Sequence, residues 1–324
     1  MAYDIQIWVN VAAFAGGGIC MGIGAIGAAI GEGHTAAEAN LAISRNKKTA
    51  GDIFKSMLIG QAIAESASIF ALVIAMILLF TKFSAVSWVT VSAVFSAGLA
   101  MGFGAIGSGI GAGYPAGAAC TGMSRQPAMT GSLTTNMLIG SAVCQTPSIF
   151  ALVVSFILLF TNFSAIPVSP GWAAMLGAGL AIGLGAIGSG IGGGIVAEAS
   201  CEGIARQPLA IKPVTNVMLL GQAIAQTPAI LGLLVSFILI YKGFPATDSL
   251  APSMALLGAG ICMGVGAIGP GIGEGIASSG GVKAIARNQE IIGVITRSML
   301  VGMAVAESTA IYSMVIALVL IFVA

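Results

Sequence analysis

Only 7% of the 324 residues are charged and 57% are hydrophobic, with 47 glycines and a mean hydropathy of +1.05. Ordinary soluble domains carry about 25% charged residues, so a water-soluble globular domain is excluded and lipid must be the solvent for most of the chain. The net charge of +1 is uninformative about nucleic acid, but no basic run is long enough to bind it, and no nucleic-acid partner is expected.

The chain opens with an apolar segment that lacks a basic stretch and does not read as a cleaved leader. It then repeats itself. The string Gly-Ala-Ile-Gly begins at Gly24, Gly104, Gly185 and Gly266, at spacings of 80, 81 and 81. Each copy has a glycine-rich apolar stretch, a short polar loop and a second apolar stretch ending at Phe80, Phe160, Tyr241 or Phe322. Every stretch exceeds the ~20 residues that span a bilayer. The alternation of barrel strands is absent, and backbone polar groups in lipid must then be paired within helices. The expected fold is all-α: eight transmembrane helices in four tandem hairpins, over residues 1–83, 84–164, 165–246 and 247–324. Ten of the twelve Lys and Arg cluster at the loops, including Arg45, Arg125, Arg206 and Arg287, whereas Lys82 and Lys242 lie at the other end. The positive-inside rule places the loops in the cytoplasm and both termini outside.

In the first helix of each hairpin the glycines allow close backbone approach, as in the Gly27–Gly31 pair. Gly22 to Gly27 also match a dinucleotide-binding fingerprint, which is rejected because no strand precedes it. The five cysteines read as small packing residues without disulfide or redox roles. His34, four residues before Glu38, is expected to be solvated or paired. Lys55 and Arg297 read as interfacial anchors.

Four glutamates fall within the apolar stretches: Glu32 and Glu65 in hairpin 1, Glu274 and Glu307 in hairpin 4. Ionisable groups at that depth cost ~2.5–3.5 kcal/mol and mark function by default. Each pair is equidistant from its loop, ~25 Å away at 1.5 Å per residue, so its members share a level in the membrane. Two carboxylates this close cannot both stay ionised in low dielectric; one takes a proton or a cation sits between them. Ser66 and Ser308 follow the second Glu directly and add the oxygen ligation that hard cations prefer. Na⁺ is therefore favoured over H⁺ as cargo. Hairpins 2 and 3 replace Glu32 with Ala112 and Gly193, and Glu65 with Gln145 and Gln226. They keep hydroxyls at Thr146 and Thr227, before Pro147 and Pro228, which free the carbonyls of Val143 and Ile224. Two readings stand: these groups ligate an ion held mainly by a neighbouring hairpin, or the prolines only kink a degenerate copy.

The glycine-rich first helices, Arg125-Gln126-Pro127, Arg206-Gln207-Pro208 and the segment Ala306-Glu307-Ser308-Thr309-Ala310-Ile311-Tyr312 resemble the c subunits of F-type rotary ATPases, the rotor-ring proteolipids. The resemblance covers nearly the whole chain four times over, and hairpin 4 is particularly similar to sodium-dependent members. It implies ion ligands at Glu307, Ser308, the Val305 carbonyl and Glu274, with Tyr312 bonding to the carboxylate. Hairpin 1 maps likewise onto Glu32, the Ile63 carbonyl, Glu65 and Ser66, with Phe70 in place of Tyr312. It further implies a non-catalytic component of an ion-transporting ATP synthase or ATPase, assembled with itself in a lipid-embedded ring, without an organic cofactor. The loops at Arg45, Arg125, Arg206 and Arg287 would dock the central-stalk gamma and epsilon subunits, and an Arg of the a subunit would meet Glu65 and Glu307. A bacterial plasma membrane is the expected location. With carboxylates in two hairpins of four, fewer ions move per turn, which favours ATP-driven pumping. The competing readings are a passive ring-shaped pore, which would have no use for an Arg in every loop, and a secondary transporter, whose repeats are usually inverted.

Overall fold

The computed structural model describes residues 4–84 and 87–323, which form long helices. Hairpin 1 consists of α1 (Ile5–Arg45) and α2 (Ala50–Phe80); hairpin 2 of α3 (Trp88–Arg125), then α4 (Thr130–Cys144) and α5 (Thr146–Phe160). Hairpin 3 comprises α6 (Val168–Arg206), α7 (Ile211–Ala225) and α8 (Thr227–Tyr241), and hairpin 4 comprises α9 (Leu250–Arg287) and α10 (Ile292–Val323). Among the described residues, eight spans are long and apolar enough to cross a membrane. The chain is a multi-pass membrane protein.

Each first helix ends at an arginine, where the cation complements the carbonyl end of the helix. In hairpin 1 the Asn46 carboxamide oxygen accepts from the Lys48 backbone N–H at 3.2 Å, and its Nδ2 donates to the Ser124 carbonyl at 3.2 Å, tying the first loop to the second. In hairpins 2 and 3 the same turn is made by Pro127 and Pro208, each opening a short 3₁₀ turn. Proline suits that position because its missing N–H has no partner to lose.

The first helices pack side by side in the order α1, α3, α6, α9, and the second helices form an outer layer. Glycine makes the inner layer possible. A Cβ on Gly27, Gly107 or Gly188 would strike the backbone of Ile106, Ile187 or Ile268 in the next first helix. Each outer helix lies in the groove between its own first helix and that of the following hairpin: α2 touches α1 and α3, α4 and α5 touch α3 and α6, and α7 and α8 touch α6 and α9. The arrangement is therefore a directional arc. Its last outer helix, α10, has α9 but no following first helix, and Gly269, the counterpart of Gly188, meets nothing within 4 Å among the described residues.

The outer helices turn Leu58, Leu72, Val73, Met76, Ile149, Val153, Ile230 and Leu234 outward, as lipid-facing surfaces require. Trp8, Trp88 and Trp172 line one concavity at the end opposite the loops, with Trp8 and Trp88 ring centroids 5.7 Å apart. All five cysteines are free, and four are buried. His34 is half-buried: its Nε2 is buried without a hydrogen-bond partner among the described residues, and its ring meets Tyr114 edge-on at 5.3 Å. Glu38 instead accepts from Thr121 Oγ1 at 2.8 Å, because α3 packs over this face of α1.

Candidate ion-binding site

The level of the site is fixed by side chains that tie each second helix to its own first helix. Gln61 Nε2 donates to the Glu32 carbonyl at 3.3 Å, Ser141 Oγ to the Ala112 carbonyl at 3.0 Å, and Gln222 Nε2 to the Gly193 carbonyl at 3.0 Å. These residues precede Glu65, Gln145 and Gln226 by one helical turn, so the 32 row and the 65 row stand together.

The two pairs differ in enclosure. Glu274 is 0% exposed, and neither carboxyl oxygen has a hydrogen-bond partner among the described residues. Glu307 beside it is half-buried. Glu32 is half-buried and Glu65 exposed. The reason is the direction of the arc: hairpin 4 lies against hairpin 3, whereas no described residue covers the corresponding side of hairpin 1.

At the same level the neutral hairpins reach backwards along the arc. Gln145 Nε2 donates to the Ile63 carbonyl of hairpin 1 at 3.0 Å, and Gln226 Nε2 donates to the Val143 carbonyl of hairpin 2 at 3.1 Å. The Ile63 carbonyl, expected beside Glu65 of its own hairpin, thus faces the side chain at the equivalent position of the next hairpin. The Val143 carbonyl, expected to be freed by Pro147, is taken up in the same way. Helices α4 and α7 end one residue short of Gln145 and Gln226, where Pro147 and Pro228 interrupt the backbone ladder; α2 and α10 continue unbroken through Glu65 and Glu307.

In the repeat, position 307 stands to hairpin 3 as 226 stands to hairpin 2. Ser66 Oγ and Ser308 Oγ donate to the Ile63 and Val305 carbonyls at 2.7 Å each, which leaves their lone pairs free to accept or ligate. Val305 is 68% and Tyr312 66% exposed, both on the open face of α10. Thr146 and Thr227 are half-buried. Arg45, Arg125, Arg206 and Arg287 are exposed at the loop end; Arg206 lies 3.6 Å from Glu202, which also meets Lys283 at 3.3 Å.

Sequence reasoning misses the two glutamines as partners of the site. Their alignment with Glu65 is visible in the repeat, but a donor amide there reads only as a lost carboxylate. It also misses Asn136, which is buried, donates to Ser200 Oγ at 2.9 Å and accepts from Thr215 Oγ1 at 2.9 Å, linking hairpins 2 and 3.

A family model for the ATP synthase C subunits matches this chain four times, at residues 15–78, 95–158, 176–239 and 257–320. The K subunit of the A-type ATP synthase of Methanocaldococcus jannaschii is 32% identical over 222 residues, which is 68% of this chain and 92% of that protein. The ATP synthase c subunit of Petrotoga mobilis is 56% identical over 68 residues, covering 21% of this chain and 71% of the relative. That of Thermotoga petrophila is 53% identical over 78 residues, covering 23% and 92%.

Proposed function

We propose, from the premise that this chain belongs to the family of ATP synthase C subunits and is a rotor-ring component, that it carries Na⁺ at two sites per chain. One site lies within the chain: Glu307 and Glu274 of hairpin 4, with the Ile224 carbonyl and Thr227 of hairpin 3. The other lies between copies: Glu65 and Glu32 of one chain, with the Val305 carbonyl and Ser308 of the preceding copy in the ring. Hairpin 3 then serves as a ligand donor although it lacks a carboxylate, and Tyr312 lies at the joint between copies.

The observation that carries this reading is Glu274, fully buried with neither oxygen paired. A buried carboxyl in that condition costs several kcal/mol unless a proton or cation satisfies it. Two carboxyls and one Na⁺ leave a net charge of −1, so one carboxyl keeps its proton while the site crosses lipid. Glu274 is assigned that proton because it is the more enclosed. Its O–H then donates to Glu307, which holds the ion. Na⁺ is favoured over H⁺ by the hydroxyls of Thr227 and Ser308. The loops, bearing Arg45, Arg125, Arg206 and Arg287, face the cytoplasm of a bacterial cell and dock the central stalk, and Glu65 and Glu307 exchange their ion at the a subunit. With two carriers for every four hairpins, each turn moves fewer ions, and ATP hydrolysis can drive them against a steeper gradient.

Carbodiimide labelling of Glu307 in the assembled ring, at fixed pH with rising NaCl, tests the cargo. Slower labelling is expected as Na⁺ occupies the site. A rate indifferent to NaCl but sensitive to pH would make H⁺ the ion and sink the sodium assignment.

A further inference from the structure

We infer that the amides of Gln145 and Gln226 are fixed substitutes for the transported cation, and that they alone keep hairpins 2 and 3 from carrying ions. This rests on the carrier reading above. Gln145 Nε2 sits 3.0 Å from the Ile63 carbonyl and Gln226 Nε2 3.1 Å from the Val143 carbonyl. Each is the contact that a cation held at the equivalent glutamate would make with the preceding hairpin. An N–H supplies the partial positive charge that the carbonyl otherwise receives from the ion, and the neutral amide needs no counter-charge in lipid.

The hydroxyl and carbonyl positions of the site have been kept, although Ala112 and Gly193 replace the second carboxyl. Ser66 Oγ donates to the Ile63 carbonyl at 2.7 Å, and Thr146 and Thr227 hold the same sequence position, three residues after Val143 and Ile224. Both amides are enclosed, at 7% exposure for Gln145 and 9% for Gln226, whereas Glu65 is exposed. Gln145 Nε2 also lies 3.5 Å from the Ser108 carbonyl, and Ser148 Oγ lies 3.5 Å from its Oε1, so the amide is held from both sides. The spacer hairpins are therefore permanently closed sites: they pass through lipid and past the a subunit without exchanging anything. A single replacement, NH₂ by O, converts each into a one-carboxylate site completed by the preceding hairpin. With Gly193 or Ala112 in place of a second carboxyl, that site takes one monovalent cation, or one proton, and is then neutral.

The test compares wild-type rings with rings carrying Gln226→Glu, and separately Gln145→Glu so that a failure to assemble at one joint does not decide the matter. Carbodiimide adducts at Glu307 and at the introduced carboxyl are quantified by mass spectrometry in the same sample, across NaCl concentration and pH. The introduced carboxyl is expected to be labelled, and its labelling to slow several-fold with the same ion to which Glu307 responds. A Gln226→Leu ring, lacking the donor but bearing no charge, is expected to show no additional ion-sensitive adduct and to dissociate at lower temperature. The inference is overturned if the introduced carboxyls stay unlabelled, or label without response to either ion, while Glu307 in those rings responds normally. If Glu307 of the wild-type ring responds to neither ion, it is the carrier reading that fails.

Discussion

Gly107 and Ile187 stand backbone to backbone: a Cβ placed on Gly107 would fall on the Ile187 Cα and carbonyl of the next first helix. The same contact joins Gly27 to Ile106 and Gly188 to Ile268, so each of the three internal joints of the arc includes one such contact among its glycines. Gly22, by contrast, meets nothing within 4 Å among the described residues.

Substituting Gly107 therefore separates packing from composition. Gly107→Ala forces two helices apart and is expected to cost about 1–3 kcal/mol through overpacking. The loss would be read as a lower dissociation temperature of the purified ring. Gly22→Ala should leave that temperature within error, and an equal loss at both positions would refute the close-approach argument.

The polar link between hairpins 2 and 3 gives a second outcome. Asn136→Ala leaves Thr215 Oγ1 and Ser200 Oγ without the partner they share, at a cost of about 1–3 kcal/mol. Ring dissociation should shift downward, with ion-dependent labelling of Glu307 unchanged. A changed labelling profile would mean that this network and the ion site are coupled.

In the proposed site the carboxylates divide the labour unequally. Glu307→Gln places an amide where hairpins 2 and 3 already have one, leaving three closed hairpins in succession. ATP-driven ion uptake by reconstituted vesicles is expected to fall, with Glu65 left as the carrier of each chain. Glu274→Gln keeps a neutral hydrogen-bonding group at the enclosed position, so Glu307 should retain its ion-sensitive labelling. Loss of that sensitivity would assign the ion-holding charge to Glu274 instead.

Tyr312 supplies the fourth test. Phe70 stands at its position in hairpin 1, so Tyr312→Phe makes the two carrier hairpins alike there. Losing one hydroxyl contact of about 0.5–1.5 kcal/mol weakens a site about 2- to 13-fold. The shift should appear as a higher NaCl concentration needed to protect the glutamate that Tyr312 touches. Identifying whether that is Glu307 or Glu65 of the adjoining copy shows which side of the joint the phenol serves.

Much of this protein follows from the chain alone. Mean hydropathy and segment length demand transmembrane helices, because an unpaired backbone cannot reside in lipid. The repeat of 80 or 81 residues makes four hairpins of them, and equal distances from the loop bring Glu32 level with Glu65 and Glu274 level with Glu307. What spacing fixes is height along the helix axis. It does not fix which neighbour a side chain turns towards, since that depends on how helices rotate and nest against one another. The tertiary structure decided that each outer helix lies over the following hairpin, so that the Ile63 carbonyl meets Gln145 and the Val143 carbonyl meets Gln226. The same direction of packing encloses Glu274 and leaves Glu65 at an open edge, although both hairpins carry the same Ile-Gly-Glu-Gly and Ala-Glu-Ser segments.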